Sequence, residues 1–269
     1  MNTLESFKKF IWDFYQQNRR DFAWRNTNNP YHILVSEVML QQTQTHRVIA
    51  KYEEFITAFP TMQALAESSL RDVLSVWQGL GYYRRARYLH QLVQIVVNEY
   101  GGMLPQDIKI LQTLPGIGPG TAGSIGAFAF NQPTVFIETN IRTVFIHYFF
   151  QNKIGVTDKE IMPLIAATVD QHNPREWYYA LMDYGVWCKA QQSNPSRKSA
   201  HYTKQSKFEG SDRQIRAKIL KIITEKEKIS HGDLLSVIDQ NVSRIEKIID
   251  KLISEGFIKK SINGVYFVA

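Results

Sequence analysis

Along most of this chain, apolar residues recur every three or four positions, the period of one face of an α-helix. Leu4, Phe7, Phe10, Ile11, Phe14 and Tyr15 mark a first amphipathic helix over residues 4–17. Similar spacing predicts helices over 45–59, 61–66, 69–77, 83–100, 107–113, 121–130, 141–150, 157–170 and 175–187, with breaks at Pro60, Gly79, Gly81, Gly101, Gly102 and Pro105. No alternating strand pattern intervenes, so the chain reads as mainly α up to about residue 188.

Four places break this pattern in chemically informative ways. Residues 19–30 mix aromatics, cations and turn formers around Trp24 and Arg25, as an exposed contact-making loop does, although Trp24 could equally cap a core. Pro30 then opens a helix whose apolar run Ile33, Leu34, Val35, Val38, Met39 and Leu40 is interrupted by Ser36 and Glu37. On so narrow a polar stripe Glu37 is expected at a partly buried rim. Desolvation there raises a carboxyl pKa and favours a proton-donating form near neutral pH. The residues after this helix, Gln41-Gln42-Thr43-Gln44-Thr45, are either a plain polar turn or a reader of base edges.

The third place is Trp77-Gln78-Gly79-Leu80-Gly81-Tyr82-Tyr83-Arg84-Arg85-Ala86-Arg87, which combines stacking rings with phosphate-seeking cations, or packing with ordinary solvent-facing charge. The fourth is Leu114-Pro115-Gly116-Ile117-Gly118-Pro119-Gly120. Glycines at this spacing describe a tight turn between helices that exposes backbone N–H groups and suits a phosphate, although turn geometry alone also calls for glycine. Glu138 follows and opens the helix over 141–150, where free N–H groups and the helix dipole favour the ionised carboxylate; it could also be a simple cap.

Beyond Cys188 the pattern changes. Residues 189–207 are polar and basic, with few apolar positions, and read as a linker. Over 189–221 there are nine Lys and Arg against two acids, so the excess there equals the net charge of the whole chain, +7. That concentration favours a polyanionic partner. From Ser211 three short helices over 213–224, 230–238 and 242–254 precede Asn263-Gly264, a hairpin signal between apolar residues. Three helices and a hairpin suggest a winged-helix arrangement with Val242-Ser243-Arg244 opening its recognition helix, in contact with either nucleic acid or protein.

Composition narrows the class further. With 269 residues, 44% of them hydrophobic, the chain can bury a real core in one large domain or two to three small ones. Cys188 is its only cysteine, which excludes an internal disulfide or a thiolate-only metal cage and fits a reducing compartment. No uncharged apolar window of about eighteen residues occurs and the first residues carry no signal-peptide core, so the expectation is a cytoplasmic protein without a membrane span.

Taken in order, Trp24-Arg25-Asn26, Pro30-Tyr31, Ser36-Glu37-Val38-Met39-Leu40-Gln41-Gln42-Thr43-Gln44, Gly79-Leu80-Gly81-Tyr82-Tyr83, and Leu114-Pro115-Gly116-Ile117-Gly118 with Thr121-Ala122-Gly123 resemble the helix-hairpin-helix (HhH-GPD) DNA glycosylase superfamily. Within it the resemblance is to adenine-specific mismatch glycosylases of the MutY type, over residues 1 to about 188. It implies a two-lobed α-helical core over 1–188, with 30–133 forming a helical barrel lobe and 1–25 plus 135–188 the second lobe. A basic linker, 189–210, and a winged-helix-like domain, 211–269, follow. The implied partner is double-stranded DNA carrying a mispaired or damaged base, with protein contacts open to the winged-helix-like domain.

The same resemblance assigns roles. Glu37 matches the acid that protonates the leaving base, and Gly116, Gly118 and Gly120 match the hairpin that grips a phosphate through backbone amides and a monovalent cation. Gln41 and Gln42 match residues at the opened base pair, Tyr82 an intercalating contact, and Trp24 with Arg25 part of the base pocket. Asn140 matches the asparagine that accompanies the second carboxylate.

Four departures qualify it. Glu138 stands where the superfamily has aspartate, one methylene shorter. Gly120 stands where the bifunctional branch carries its Schiff-base lysine, so a monofunctional enzyme is expected. Cys188 matches the first iron–sulfur ligand but residues 191–207 hold no others, so no cluster is expected. The domain that checks for 8-oxoguanine is replaced by the winged-helix-like module. These lead to a monofunctional DNA glycosylase acting in base excision repair, adenine favoured, or alternatively to a non-catalytic binder of damaged DNA descended from one.

Overall fold

The computed structural model describes residues 3–191 and 194–269. In chain order the helices are α1 (Thr3–Asn18), α2 (Pro30–Leu40), α3 (Thr45–Ala58), α4 (Met62–Glu67), α5 (Leu70–Trp77), α6 (Arg84–Tyr100), α7 (Ile108–Leu111), α8 (Pro119–Phe130), α9 (Thr139–Phe149), α10 (Asp158–Thr168) and α11 (Pro174–Gln191). After them come α12 (Asp212–Lys226), strand β1 (Ile229–Ser230), α13 (His231–Ser236), α14 (Val242–Ser254), and strands β2 (Ile258–Lys260) and β3 (Val265–Val268). Short 3-10 turns lie at Ala23–Arg25 and Pro195–Lys198. The mainly α expectation holds, and the helix ends follow local chemistry. Thus α8 starts at Pro119 because a first-position proline has no N–H to lose, while Thr157 and Glu160 form a reciprocal capping box on α10.

Two compact units divide the chain, Met1–Glu37 with Leu104–Lys204 and Val38–Met103 with Gln205–Ala269. The first is organised by α11, which packs against α9, α1 and α8. Phe7 of α1 meets Phe145, Tyr148, Phe149 and Trp177 with ring centroids between 4.8 and 6.1 Å apart, giving an aromatic core with edge and tilted contacts. Uncharged along its length, α8 is buried from Ala122 to Ala129, as a helix apolar on every side must be.

Residues 194–200, expected as part of a linker, are folded onto this unit. Pro195, Ser196 and Ser199 are buried. Val156 N donates to Lys198 O and Ala200 N to Val156 O, each at 2.9 Å, so the stretch is held by backbone pairing that a polar composition does not announce. Gln192 and Ser193 of the expected linker lie outside the described residues.

In the second unit α6 packs on α4 and α5, and α5 on α3, around Phe55, Trp77 and Leu74. Residues 211–269 belong to this same unit. Their three-stranded antiparallel sheet, ordered β1-β3-β2, closes on α12 and α14 in a winged-helix-like arrangement, with Gly264 at φ 74° in the β2–β3 turn. Helix α12 lies on α5, Arg71 Nε donates to Thr224 O at 2.9 Å, and Glu255 pairs with both Arg84 and Arg216. Residues 38–103 thus group with residues 205–269, along contacts of α5 with α12.

No helix among the described residues is long and apolar enough to cross a membrane.

Candidate active site

In the first unit α2 carries Glu37, which keeps only part of its surface exposed. Burial raises its carboxyl pKa from 4.5 to about 7. A hydrogen bond from Ser124 of α8 and the charge of Arg25 act in the opposite direction, while the charge of Glu138 reinforces burial. The side chain is therefore a carboxyl able to carry a proton near neutrality.

Glu138 sits one residue before α9 and folds its side chain back over the helix start. One oxygen, Oε1, accepts from the backbone N–H groups of Asn140 at 2.7 Å and Ile141 at 2.8 Å, and Oε2 accepts from Asn140 Nδ2 at 3.3 Å. It is the N-cap of α9, satisfying two backbone N–H groups at the start of that helix. Asn140 is in turn bound by Lys189 of α11, whose Nζ donates to Oδ1 at 2.7 Å. Burial holds the Lys189 ammonium below its usual range, with the Glu138 charge opposing that shift.

Arg25 and Trp24 lie inside the fold, at 7% and 4% exposure, so the loop expected to be exposed buries both. Asp183 explains the arginine. Its two oxygens accept from both terminal nitrogens of Arg25 at 2.8 Å, and from the Nε and backbone N of Arg20 at 2.7 and 2.9 Å. This satisfies a charge that burial would otherwise make costly. The guanidinium also lies 4.3 Å from the centre of the Tyr179 ring, and Trp24 stacks on Phe22 at 4.8 Å.

The hairpin joins α7 to α8. Gly116 adopts φ 78°, which a side chain would strain, whereas a Cβ at Gly118 would meet nothing, so internal packing does not dictate glycine there. At Gly120 a Cβ would come no closer than 3.6 Å to Ile137 O. The first turn of α8 thus begins in open surroundings, where its N–H groups suit an anion.

Gln41, Gln42 and Tyr82 belong to the second unit, where one residue ties the Gln41 segment to the turn that carries Tyr82. Arg85 is buried and donates to the carbonyls of Val38, Met39 and Gln41 at 3.0, 2.7 and 2.5 Å, to that of Gly81 at 3.2 Å, and to Thr43 Oγ1 at 2.9 Å. Gln42 and Tyr82 both have positive φ, 54° and 50°, a conformation uncommon outside glycine that the surrounding bonds sustain. The Tyr82 hydroxyl lies 3.4 Å from Arg213 Nη1 of α12.

The sequence did not single out Ser124, Tyr179, Asp183 or Lys189 in the first unit, nor Arg85 as the scaffold of the Gln41 segment and the Gly81 turn in the second. An acid inside the aromatic run Trp177-Tyr178-Tyr179-Ala180-Leu181-Met182-Asp183-Tyr184 is a legible sign of a buried ion pair. Ser124 and Lys189 carry no such sign.

Cys188 is buried and shares a hydrogen bond with Tyr184. Among the described residues no group of three His, Cys, Asp or Glu could hold a metal ion, and one thiol does not fit a four-thiolate iron–sulfur cluster.

A glycine hairpin between two helices, in the unit that also carries the partly enclosed acid Glu37 and the helix-capping carboxylate Glu138, defines a helix-hairpin-helix protein. Residues 35–169 match the HhH-GPD superfamily of base excision DNA repair proteins, and the chain belongs to that superfamily. It is 28% identical over 278 residues to an adenine DNA glycosylase of Mycobacterium tuberculosis (strain CDC 1551 / Oshkosh), covering 93% of this chain and 90% of that protein. It is 35% identical over 190 residues to an adenine DNA glycosylase of Buchnera aphidicola subsp. Baizongia pistaciae, covering 69% of this chain and 53% of that protein. Among solved structures a thermostable thymine-DNA glycosylase superposes with a TM-score of 0.61 at 25% identity, covering 68% of this chain and 86% of that one.

Proposed function

We propose that this protein is a monofunctional DNA N-glycosylase that hydrolyses the bond between deoxyribose and a flipped base, adenine favoured, in duplex DNA carrying a mispaired or damaged base. The observation that carries this reading is the acid at Glu37, raised to about 7 by burial, in the same unit as the capped carboxylate Glu138.

The neutral Glu37 carboxyl donates its proton to a ring nitrogen of the base, so the electron pair of the breaking bond leaves with a neutral base rather than an anion. Positive charge grows on the sugar. The Glu138 carboxylate stabilises it, water adds at the anomeric carbon, and the proton that this water releases restores Glu37. The first turn of α8 receives a backbone phosphate, with a monovalent cation at the hairpin, and the Gln42 and Tyr82 turns contact the opened base pair. Gly120 offers no amine for imine formation, and the single cysteine supports function without an iron–sulfur cluster.

The test uses full-length protein and duplexes carrying adenine opposite 8-oxoguanine or guanine, uracil, or an alkylated purine, followed by alkaline cleavage at abasic sites. Strand scission that requires alkali is the expected result, with no covalent complex trapped by borohydride. Tight duplex binding without scission of any substrate would leave a non-catalytic binder instead.

A further inference from the structure

We infer that Lys189 is a positioning residue for the Glu138 carboxylate and that it acts through the side-chain amide of Asn140. This rests on the glycosylase reading above, and it accounts for how a glutamate is held in place there.

An ammonium only donates, so a lysine can bond an asparagine side chain only at its oxygen. With Oδ1 committed to Lys189 Nζ at 2.7 Å, the amide nitrogen must face the other way, and it does so toward Glu138 Oε2 at 3.3 Å. Lys189 therefore determines which way the amide is flipped. The consequence falls on one oxygen. Oε1 is held by two backbone N–H groups of α9, whereas the contact the structure gives Oε2 is the Asn140 amide. Backbone capping alone leaves the carboxylate free to pivot about Oε1, and a glutamate, with one more rotatable bond than aspartate, has more room to do so. Reversing the amide would turn its oxygen toward Oε2 and repel the carboxylate.

Helix α11 is built to deliver this contact. Its backbone presses on the start of α9 so closely that a Cβ at Gly185 would lie 2.5 Å from Asn140 O and 2.8 Å from Asn140 Cβ. Lys189 stands four residues further along, on the same helical face, and reaches the same asparagine. No ion pair joins Lys189 directly to Glu138 among the described residues; the two charges act on each other at longer range, and the amide adds the orientation of the carboxylate.

The experiment compares wild type with Lys189→Met, Lys189→Arg, Asn140→Ala and the double variant Lys189→Met/Asn140→Ala, all full length. Single-turnover base release, duplex affinity and the Asn140 side-chain NH2 resonances of 15N-labelled protein are measured. Lys189→Met should slow base release on the order of tenfold to a hundredfold while leaving duplex affinity within about twofold. Lys189→Arg should restore most of the rate, and the double variant should be no slower than Asn140→Ala, because both changes remove one relay. The Asn140 NH2 resonances should move in Lys189→Met and not in Lys189→Arg.

Unchanged base release in Lys189→Met, equal losses of rate and affinity, or additive losses in the double variant would overturn the inference. If wild type releases no base from any duplex, the glycosylase reading fails, and the Asn140 resonances decide the orientation by themselves. Should Lys189→Met not fold, Lys189→Gln takes its place under the same criteria.

Discussion

Ser124 of α8 hydrogen-bonds the carboxyl of Glu37 on α2 and also reaches the carbonyl of Thr121 at 3.0 Å. One hydroxyl proton is thus shared between two acceptors, and the bond to Glu37 opposes the rise that burial imposes on that carboxyl. Ser124→Ala should move the carboxyl pKa further up. A general acid must be protonated, so base release falls as pH rises through that pKa. The expected outcome is a single-turnover profile that declines above about pH 7 in wild type and at higher pH in Ser124→Ala, read across the neutral range.

Glu37 costs the fold stability at alkaline pH. Its pKa is 4.5 when unfolded and about 7 when folded, so between these values the folded state holds a proton that the unfolded state has lost. Stability therefore falls as pH rises through this window and levels off above it. Glu37→Gln removes the titration. It should be more stable than wild type at pH 8, by up to about 3 kcal/mol, with little difference at pH 4, and base release should drop by about a hundredfold or more. Denaturant melts at the two pH values, beside the glycosylase assay, provide the check.

Replacing Glu138 separates its two duties. Glu138→Gln keeps the length but loses the charge, so base release should fall at least about a hundredfold while duplex binding persists. The weakened cap should cost about 1 kcal/mol in chemical denaturation. Glu138→Asp keeps an N-capping carboxylate and should melt close to wild type, whereas its rate should change on the order of a hundredfold because the charge moves by about one methylene.

Arg85 joins the end of α2, the Gln41 segment and the Gly81 carbonyl, and burial lowers its own pKa to about 10. Lysine cannot serve five acceptors from one fork. Arg85→Lys should therefore destabilise the protein by about 2–3 kcal/mol and weaken duplex affinity, because the turns that carry Gln42 and Tyr82 lose their common anchor. Thermal melts and duplex titrations at fixed salt test both effects.

Arg213 reaches Tyr82 from α12, so residues 211–269 touch the tyrosine turn within one unit. Arg213→Ala should reduce duplex affinity and flatten its salt dependence if the turn lies on DNA. Unchanged binding with lowered stability would instead make this contact a docking device.

Much of this protein is legible without coordinates. Helical periodicity places its α elements to within a few residues, because each buries one apolar stripe, and the Asn263-Gly264 signal locates the terminal hairpin. Glu37 and the glycine hairpin are legible for a similar reason: a carboxylate on an apolar helix and closely spaced glycines between two helical runs are local departures that the residue string itself displays. The rest depends on partners far away in the chain. Asp183 neutralises Arg25 from 158 positions on, Arg85 gathers carbonyls up to 47 residues before it, and Lys189 orients Asn140 from 49 residues beyond. No local pattern specifies such pairs. Helix packing selects them, since only the close approach of α11 to α9 at Gly185 brings an ammonium to that amide. The sequence by itself determined the helices, the hairpin and the two carboxylates. Only tertiary structure decided how each carboxylate is held, because burial and hydrogen-bond direction are properties of the assembled core.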